Sequence, residues 1–452
     1  MPHQFTGRLT TRDCKRNIIH PFVVPANTGQ LDLHFHFAPH HAQAMTNWIT
    51  LTLFDPHGFR GAGHRYGDSH RLRLDATSAT PGYLPGPLPA GEWQVQIDTH
   101  MIMPGEPVHY WLDVTLTESA GAEQYPIVPA SARPNLPLRG PGWYRGDLHS
   151  HTHHSDAGER TVAQLVQSAR EAGLDFVFLT DHNTTAGLAQ IDALASAELL
   201  TAGGIELTTF WGHALCLGTR TWVDWRMHPG DGQMPRLAAA AYANEQVFII
   251  AHPQAVGDPA CTGCNWRFGE MMPGNARLVE IWNGPWDCDS NNEAALSLWY
   301  DWLNQGRRLT ATAGTDTHSA QDYTTRSGFN VVYAEALTEA ALFKALLAGH
   351  LYLSAGPQLT FEARAASGQT WISGDTVTQP VTVAIAWANC PPTARLRLLA
   401  NGRLLHQQPA GGQGNYEQPM SPEQADWLVV EIRGENGHML AVTNPIFLQQ
   451  NT

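Results

Sequence analysis

Lysine is almost absent from this chain: only Lys15 and Lys344 occur, so arginine supplies nearly all the positive charge. With 27 basic against 41 acidic side chains, the formal net charge is −14. A chain this acidic lacks the basic surface that sequence-independent binding to a nucleic-acid polymer needs, and a small-molecule substrate fits better. Long apolar runs are missing too; nothing approaches the roughly 20 consecutive apolar residues of a membrane-spanning helix. The opening Met-Pro-His-Gln-Phe-Thr-Gly-Arg lacks the apolar core of a secretory signal, which makes the cytoplasm the expected location. Cysteine is scarce. Six in 452 residues, without a signal, read as reduced thiols and not as a disulfide framework; the pair in Cys261-Thr-Gly-Cys264 reads as a loop with two free thiols. Oligomeric state leaves no mark on the sequence, and a homo-oligomer stays open.

What is abundant is histidine, 23 residues, and their distribution follows the organisation of the chain. A length of 452 residues exceeds one hydrophobic core, so several domains are expected. Residues 1–120 alternate apolar and polar side chains, as in Gln30-Leu-Asp-Leu-His-Phe-His-Phe37 and Trp48-Ile-Thr-Leu-Thr-Leu-Phe54, with turn residues such as Asp55-Pro-His-Gly58 between. An N-terminal β-sandwich is predicted, with His34 and His36 on one solvated face. A Pro-, Ala- and Gly-rich stretch, 121–142, reads as a linker.

Over 143–356 strand-like runs alternate with helix-like ones, the signature of an α/β domain with parallel strands. Strands are predicted at Tyr144–His149, Phe176–Thr180, Gly204–Thr208, His213–Leu217, Val247–Ala251, Leu278–Trp282 and Leu309–Ala313. Helices are predicted over Val162–Ala172, Pro235–Asn244, Asn292–Gln305 and Thr338–Ala348. From 357 to 452 the β alternation returns, as in Trp427-Leu-Val-Val-Glu-Ile432, and predicts a small C-terminal β domain.

Polar residues fall where the predicted barrel strands end. Asp147-Leu-His-Ser-His-Thr152 sets His149 and His151 two apart, so both imidazoles point the same way. Asp156 follows, and Thr180-Asp-His-Asn183, Glu206, His213, Ala251-His-Pro253 and Gly314-Thr-Asp-Thr-His318 bring the remaining candidates. The candidate ligands are His149, His151, Asp156, His182, Glu206, His213, His252, Asp316 and His318, mostly at the face where β/α barrels build active sites. One His-x-His pair is weak evidence; recurrence on successive strands, accompanied by carboxylates, is strong. The set is too large for one ion, and mixed imidazole and carboxylate donors suit two or three divalent ions of zinc, manganese or iron. Such a cluster generates hydroxide near neutral pH and clamps anionic oxygens, which points to hydrolysis.

In this order these motifs resemble the PHP (polymerase and histidinol phosphatase) family. The resemblance implies a distorted (β/α)7 barrel, a trinuclear site and mainly phosphoesterase activity. It implies one ion on His149, His151, Glu206 and Asp316, a second on Glu206, His213 and His252, and a third on Asp156, His182 and His318. Asp147 and Asp181 would orient imidazoles from behind. Leu53-Phe-Asp-Pro-His-Gly-Phe-Arg-Gly61, Ala79-Thr-Pro-Gly-Tyr-Leu-Pro-Gly86 and Thr443-Asn-Pro-Ile-Phe447 are similar to its carbaryl-hydrolase-like CehA/McbA subgroup.

Three functions follow as expectations. The first is a phosphoesterase for a small phosphomonoester or phosphodiester, with Asn283 and Arg326 as candidate substrate contacts. The second is a hydrolase of aryl esters, carbamates or amides, for which Trp222, Trp225, Trp266 and Trp286 could form an aromatic wall. The third is a metal-containing binding protein with accessory β domains.

Overall fold

The structure, a computed structural model, describes residues 3–42, 44–118, 139–324 and 327–450. Most of the expected linker, up to residue 138, lies outside the described residues, as does Arg326.

The N-terminal strands form two four-stranded antiparallel sheets. One runs His3–Leu9, Val108–Glu118, Thr28–Ala38, Ser69–Asp75 in spatial order; the other runs Arg16–Val24, Gly91–Met101, Trp48–Asp55, Gly58–Gly63. Period-two alternation does the sorting: Leu31, Leu33, Phe35 and Phe37 are buried, while His34 and His36 stay half-buried on the outer face. Trp93, Val95 and Ile97 fill the space between the sheets.

Seven central strands surround the candidate ligands: β1 (Gly142–Asp147), β2 (Phe176–Leu179), β3 (Leu200–Thr209), β4 (Gly212–Leu217), β5 (Val247–Ile250), β6 (Leu278–Asn283) and β7 (Thr310–Gly314). Their apolar runs are buried on both faces, as in Phe176–Leu179 and Val247–Ile250. They pair in sequence order, and the chain beyond β1 meets the chain beyond β7 through a parallel bridge, Ser150 to Thr317. His151 N donates to Thr317 O at 3.0 Å, and Asp316 N to His149 O at 3.0 Å. The ring of strands therefore closes at the end where the ligands lie.

This is not the regular alternation of seven parallel strands and helices. β3 and β4 form an antiparallel hairpin, because only Phe210 and Trp211 separate them and a parallel crossover needs a dozen residues or more. β4 and β5 are antiparallel as well. Five α-helices occur among the described residues: α1 (Val162–Glu171), α2 (Leu188–Ala193), α3 (Gln233–Ala243), α4 (Asn292–Asn304) and α5 (Glu339–Ala348). α1 starts at a capping box, Thr161 with Gln164, and turns Leu165, Val166 and Ala169 inward. No helix among the described residues is long and apolar enough to cross a membrane.

The boundary expected at 356/357 runs through a continuous sheet. β1 also pairs with β8 (Phe329–Ala334), β8 with β9 (Leu351–Ser354), and β9 with the strand Met439–Thr443. Trp427, Val429 and Val442 join the central core, while Leu396, Leu398 and Ile432 pack with the C-terminal sheet Gln358–Arg364, Val381–Cys390, Gly412–Met420.

The outer edge of β7 is completed by side chains. Asn444 accepts from Ala311 N at 2.7 Å and donates to Ala311 O at 2.9 Å; Asn330 does the same for Ala313, at 3.0 and 2.6 Å. Two asparagine amides thus stand in for a neighbouring strand on the element that leads to Asp316 and His318. Both are fully buried. Asn444→Ala leaves the Ala311 N–H and carbonyl unpaired, and each such group costs about 1–3 kcal/mol. Urea denaturation should show a loss of that order, and an unchanged midpoint would refute the splint.

Candidate metal centre

Every predicted ligand reaches one cluster. His149 and His151 lie just past β1, Asp156 on the loop that follows, and His182 just past β2. Glu206 sits in β3 and His213 in β4; His252 follows β5, and Asp316 and His318 follow β7. Three overlapping groups have donor atoms within 4.8 Å of one another: His149, His151, Glu206, Asp316; then His182, Glu206, His213; then His151, Asp156, His182, His318. The first is the set implied by the resemblance. In the other two, His182 serves both groups and His151 joins Asp156. His252 stands beside Glu206 without entering a group.

Glu206 is the hub. Its Oε2 lies 3.0 Å from His149 Nε2, 3.3 Å from His151 Nε2 and 3.0 Å from His182 Nδ1. Its Oε1 lies 2.9 Å from His213 Nδ1 and 3.1 Å from His252 Nε2. Asp156 bridges His182 Nε2 and His318 Nε2 at 3.3 and 3.1 Å, and Asp316 lies 2.9 Å from His151 Nε2. The ion-pair partners of all three carboxylates are histidines; among the described residues no arginine or lysine neutralises them.

Burial opposes charge on Glu206, Asp156 and Asp316, yet the surrounding imidazoles outweigh it and hold each carboxyl well below its ordinary range. The reciprocal effect raises His149, His252 and His318 against burial and lifts His151 to about 10. For His213 burial prevails and lowers it to about 4. A buried Glu206 and two half-buried aspartates, all charged and ringed by imidazoles, form a donor set suited to several divalent cations, so the residues fit the ions. Ligand-bearing turns also carry strained backbone: His252 and Asp316 have φ of 26° and 52°, in the left-handed region.

The residues behind the cluster differ from expectation. Neither Asp147 nor Asp181 touches an imidazole. Asp147 accepts from His149 N and Thr315 N at 3.2 and 3.0 Å, tying the ends of β1 and β7 together. Asp181 accepts from Thr152 N and from Ser155 Oγ, both at 2.7 Å, and so acts on the loop that carries Asp156. The carboxylate behind the ring is Glu280 on β6, which sequence reasoning missed. Its Oε1 lies 3.0 Å from His149 Nδ1, and its Oε2 accepts from His252 N at 3.0 Å. A Cβ at Gly314 would fall 2.0 Å from Glu280 Oε1 and 2.5 Å from His149 Cβ, so only glycine lets β7 pass this pair. An acid within the apolar run Leu278-Val-Glu-Ile-Trp was the available signal.

Asn283 is not free for a substrate: its amide donates to Glu280 Oε2 at 3.0 Å and Asp316 Oδ2 at 3.2 Å, and accepts from Ser290 Oγ at 2.7 Å. It positions the carboxylates. The expected tryptophan wall is absent too. Trp225, Trp266 and Trp286 are buried, and Trp222 stacks on Phe59 of the N-terminal sandwich. That sandwich supplies what the sequence could not show: buried His64 lies with its ring 4.3 Å from that of His182, and the exposed Tyr66 stacks on Trp48. Cys261 and Cys264, expected as free thiols, are bonded to each other, their turn bringing the Cα atoms to 5.6 Å.

The family model of the PHP domain matches residues 147–242. Among curated proteins no sequence matches. A two-domain protein from Bacteroides vulgatus ATCC 8482, with a region assigned as a PHP-like metal-dependent phosphoesterase, is 15% identical. That similarity covers 69% of this chain and 98% of the other, with a TM-score of 0.38. A protein from Bifidobacterium adolescentis ATCC 15703, assigned as a metal-dependent phosphoesterase, is 16% identical over 39% of this chain and 88% of its own (TM-score 0.24). PliG, a periplasmic inhibitor of g-type lysozyme from Salmonella Typhimurium, is 14% identical over 26% and 87% (TM-score 0.15).

Two outcomes follow from the geometry. Glu280→Gln should lower divalent-ion affinity about 10- to 100-fold while the protein stays folded, as expected for a group that orients a ligand; titration with Zn²⁺ or Mn²⁺ tests this, and full affinity refutes it. His151, lifted to about 10, and His149, raised well above its ordinary range, carry protons at neutral pH, so ion uptake must expel them. Binding should therefore weaken as pH falls, and calorimetry in buffers of different ionisation heat should detect proton release. Uptake without release would show that the imidazoles do not bind the ions.

Proposed function

We propose that this protein is a metal-dependent phosphoesterase acting on a small phosphomonoester or phosphodiester at a cluster of three divalent ions. The observation that carries the reading is the set of three overlapping donor groups, two of which share Glu206. His149, His151, Glu206 and Asp316 would hold one ion. His182, Glu206 and His213, with His252 beside them, would hold the second, and His151, Asp156, His182 and His318 the third. Bound ions of this class supply Lewis acidity, lowering the pKa of water and drawing charge from an ester's oxygens. The chain's own task is preorganisation: Glu280, Asn283, Asp147 and Asp181 fix the donors, and the sandwich loop with His64 and Tyr66 narrows the opening. The match to the PHP domain favours phosphate esters.

One observation favours a second reading, hydrolysis of aryl esters or carbamates. Among the described residues the arginines near the cluster are largely engaged elsewhere: Arg160 bonds Thr317 Oγ1 at 2.8 Å through one amino group, and Arg65 bonds His153 O at 3.2 Å. Among the described residues phosphate would then rest mainly on the ions, while the exposed Tyr66 offers aromatic surface beside the cluster. Metal-loaded protein assayed on phosphate monoesters, diesters and aryl esters decides between them. Asp316→Ala and His182→Ala should each lower kcat/KM by about 100-fold or more on the true substrate class, a loss of roughly 2.7 kcal/mol of transition-state stabilisation. Turnover of aryl esters alone would reject the phosphoesterase, and indifference to both substitutions would move the activity to another site.

A further inference from the structure

The turn Cys261-Thr-Gly-Cys264 takes no part in the proposed chemistry, yet it lies directly on two of the imidazoles around Glu206. The carbonyl of Cys264 accepts a hydrogen bond from His252 Nδ1 at 3.1 Å, which leaves Nε2 facing Glu206 Oε1 at 3.1 Å. Gly263 packs over His213: a Cβ there would sit 3.0 Å from His213 Nε2 and 2.1 Å from Thr209 O, at a φ of +82° that favours glycine. Thr262 is buried and donates to the carbonyl of His100 at 3.3 Å, fastening the same turn to the N-terminal sandwich. At its base the loop is closed by the pairing of Gln254 with Asn265. Between these anchors the Cys261–Cys264 bond fixes the turn, and both cysteines are only half-buried, within reach of a reductant.

We propose that this disulfide is a redox-modifiable latch on the metal centre: breaking it frees the turn, releases the ring of His252, uncovers His213 and weakens the hold on the ion nearest them. The step is a two-electron thiol–disulfide exchange. A dithiol supplies two electrons and two protons; the Sγ–Sγ bond breaks, Cys261 and Cys264 become thiols, and the reductant leaves as its own disulfide. Exchange with a small-molecule disulfide runs the step backwards: it takes up the two electrons and two protons, leaves as two thiols, and the Sγ–Sγ bond re-forms. The inference rests on the reading that His213 and His252 hold an ion, but not on which bond is hydrolysed.

The test uses the full chain loaded with Co²⁺ and followed by its visible absorption while a chelator removes the metal. In the oxidised protein release should be slow. After reduction, with two new thiols counted by alkylation at Cys261 and Cys264, part of the cobalt should leave about tenfold faster, the loss typical of an orienting contact. The double variant Cys261→Ser/Cys264→Ser keeps the backbone carbonyl but not the bond, so it should release cobalt at the reduced rate with or without reductant. Equal release from oxidised and reduced protein would overturn the latch, as would alkylation of both cysteines in protein purified under air. A protein that binds no cobalt would overturn the metal reading and the latch together. A protein that shows the redox effect but hydrolyses no phosphate ester would keep the latch and reject the phosphoesterase.

Discussion

A single buried carboxylate organises this molecule. Glu206 sits in the interior of a strand with five imidazoles around its two oxygens. An isolated charge there would be prohibitively desolvated. It is tolerable because positive charge is shared among its neighbours, first as protons and then, on the proposed reading, as metal. The imidazoles come from the chain beyond β1, β2 and β5 and from β4, so neutralising one acid dictates how four strands end.

That demand explains the departures from a regular barrel. β4 must return antiparallel after two residues for His213 to lie beside Glu206, and that removes a helical crossover. The closing contact between the chain beyond β1 and the chain beyond β7 brings Asp316 onto His149 and His151, with Asp147 clasping both ends. Glu280 and Asn283 then lock the ring from β6. The accessory domains are part of the same construction. The N-terminal sandwich sets His64 against His182, and the C-terminal strands continue the central sheet.

Much of the site was legible because its donors stand at strand ends, where an apolar run stops and a short polar motif begins. His149, His151, His182, His252 and Asp316 all carry that signal. Strand positions were equally plain, since buried runs such as Val247–Ile250 admit one reading once helices flank them. What was illegible depended on distance in the chain. Nothing local to His64 or Tyr66 tells that a sandwich loop will rest on His182. Asn330 and Asn444 look like ordinary turn or strand-end residues until a bare edge appears beside them. Trp225, Trp266 and Trp286 misled because a tryptophan outside a strand can still be core. Asp147 and Asp181 misled because each, though next to a ligand in sequence, bonds backbone amides and neighbouring hydroxyls instead of an imidazole.

The amide splint on β7 also sets an order of events during synthesis. Asn444 is separated from Ala311 by 133 residues, so strand seven lacks one of its partners until the ribosome has passed that point. Until then Asp316 and His318 hang from an element with an unfinished edge, and closing so long a loop is slow. A nascent chain would hold its first ligands, His149 to His252, well before it could assemble the whole ring. A product truncated between His318 and Asn444 would therefore carry every candidate donor, with the Ala311 edge of β7 still open.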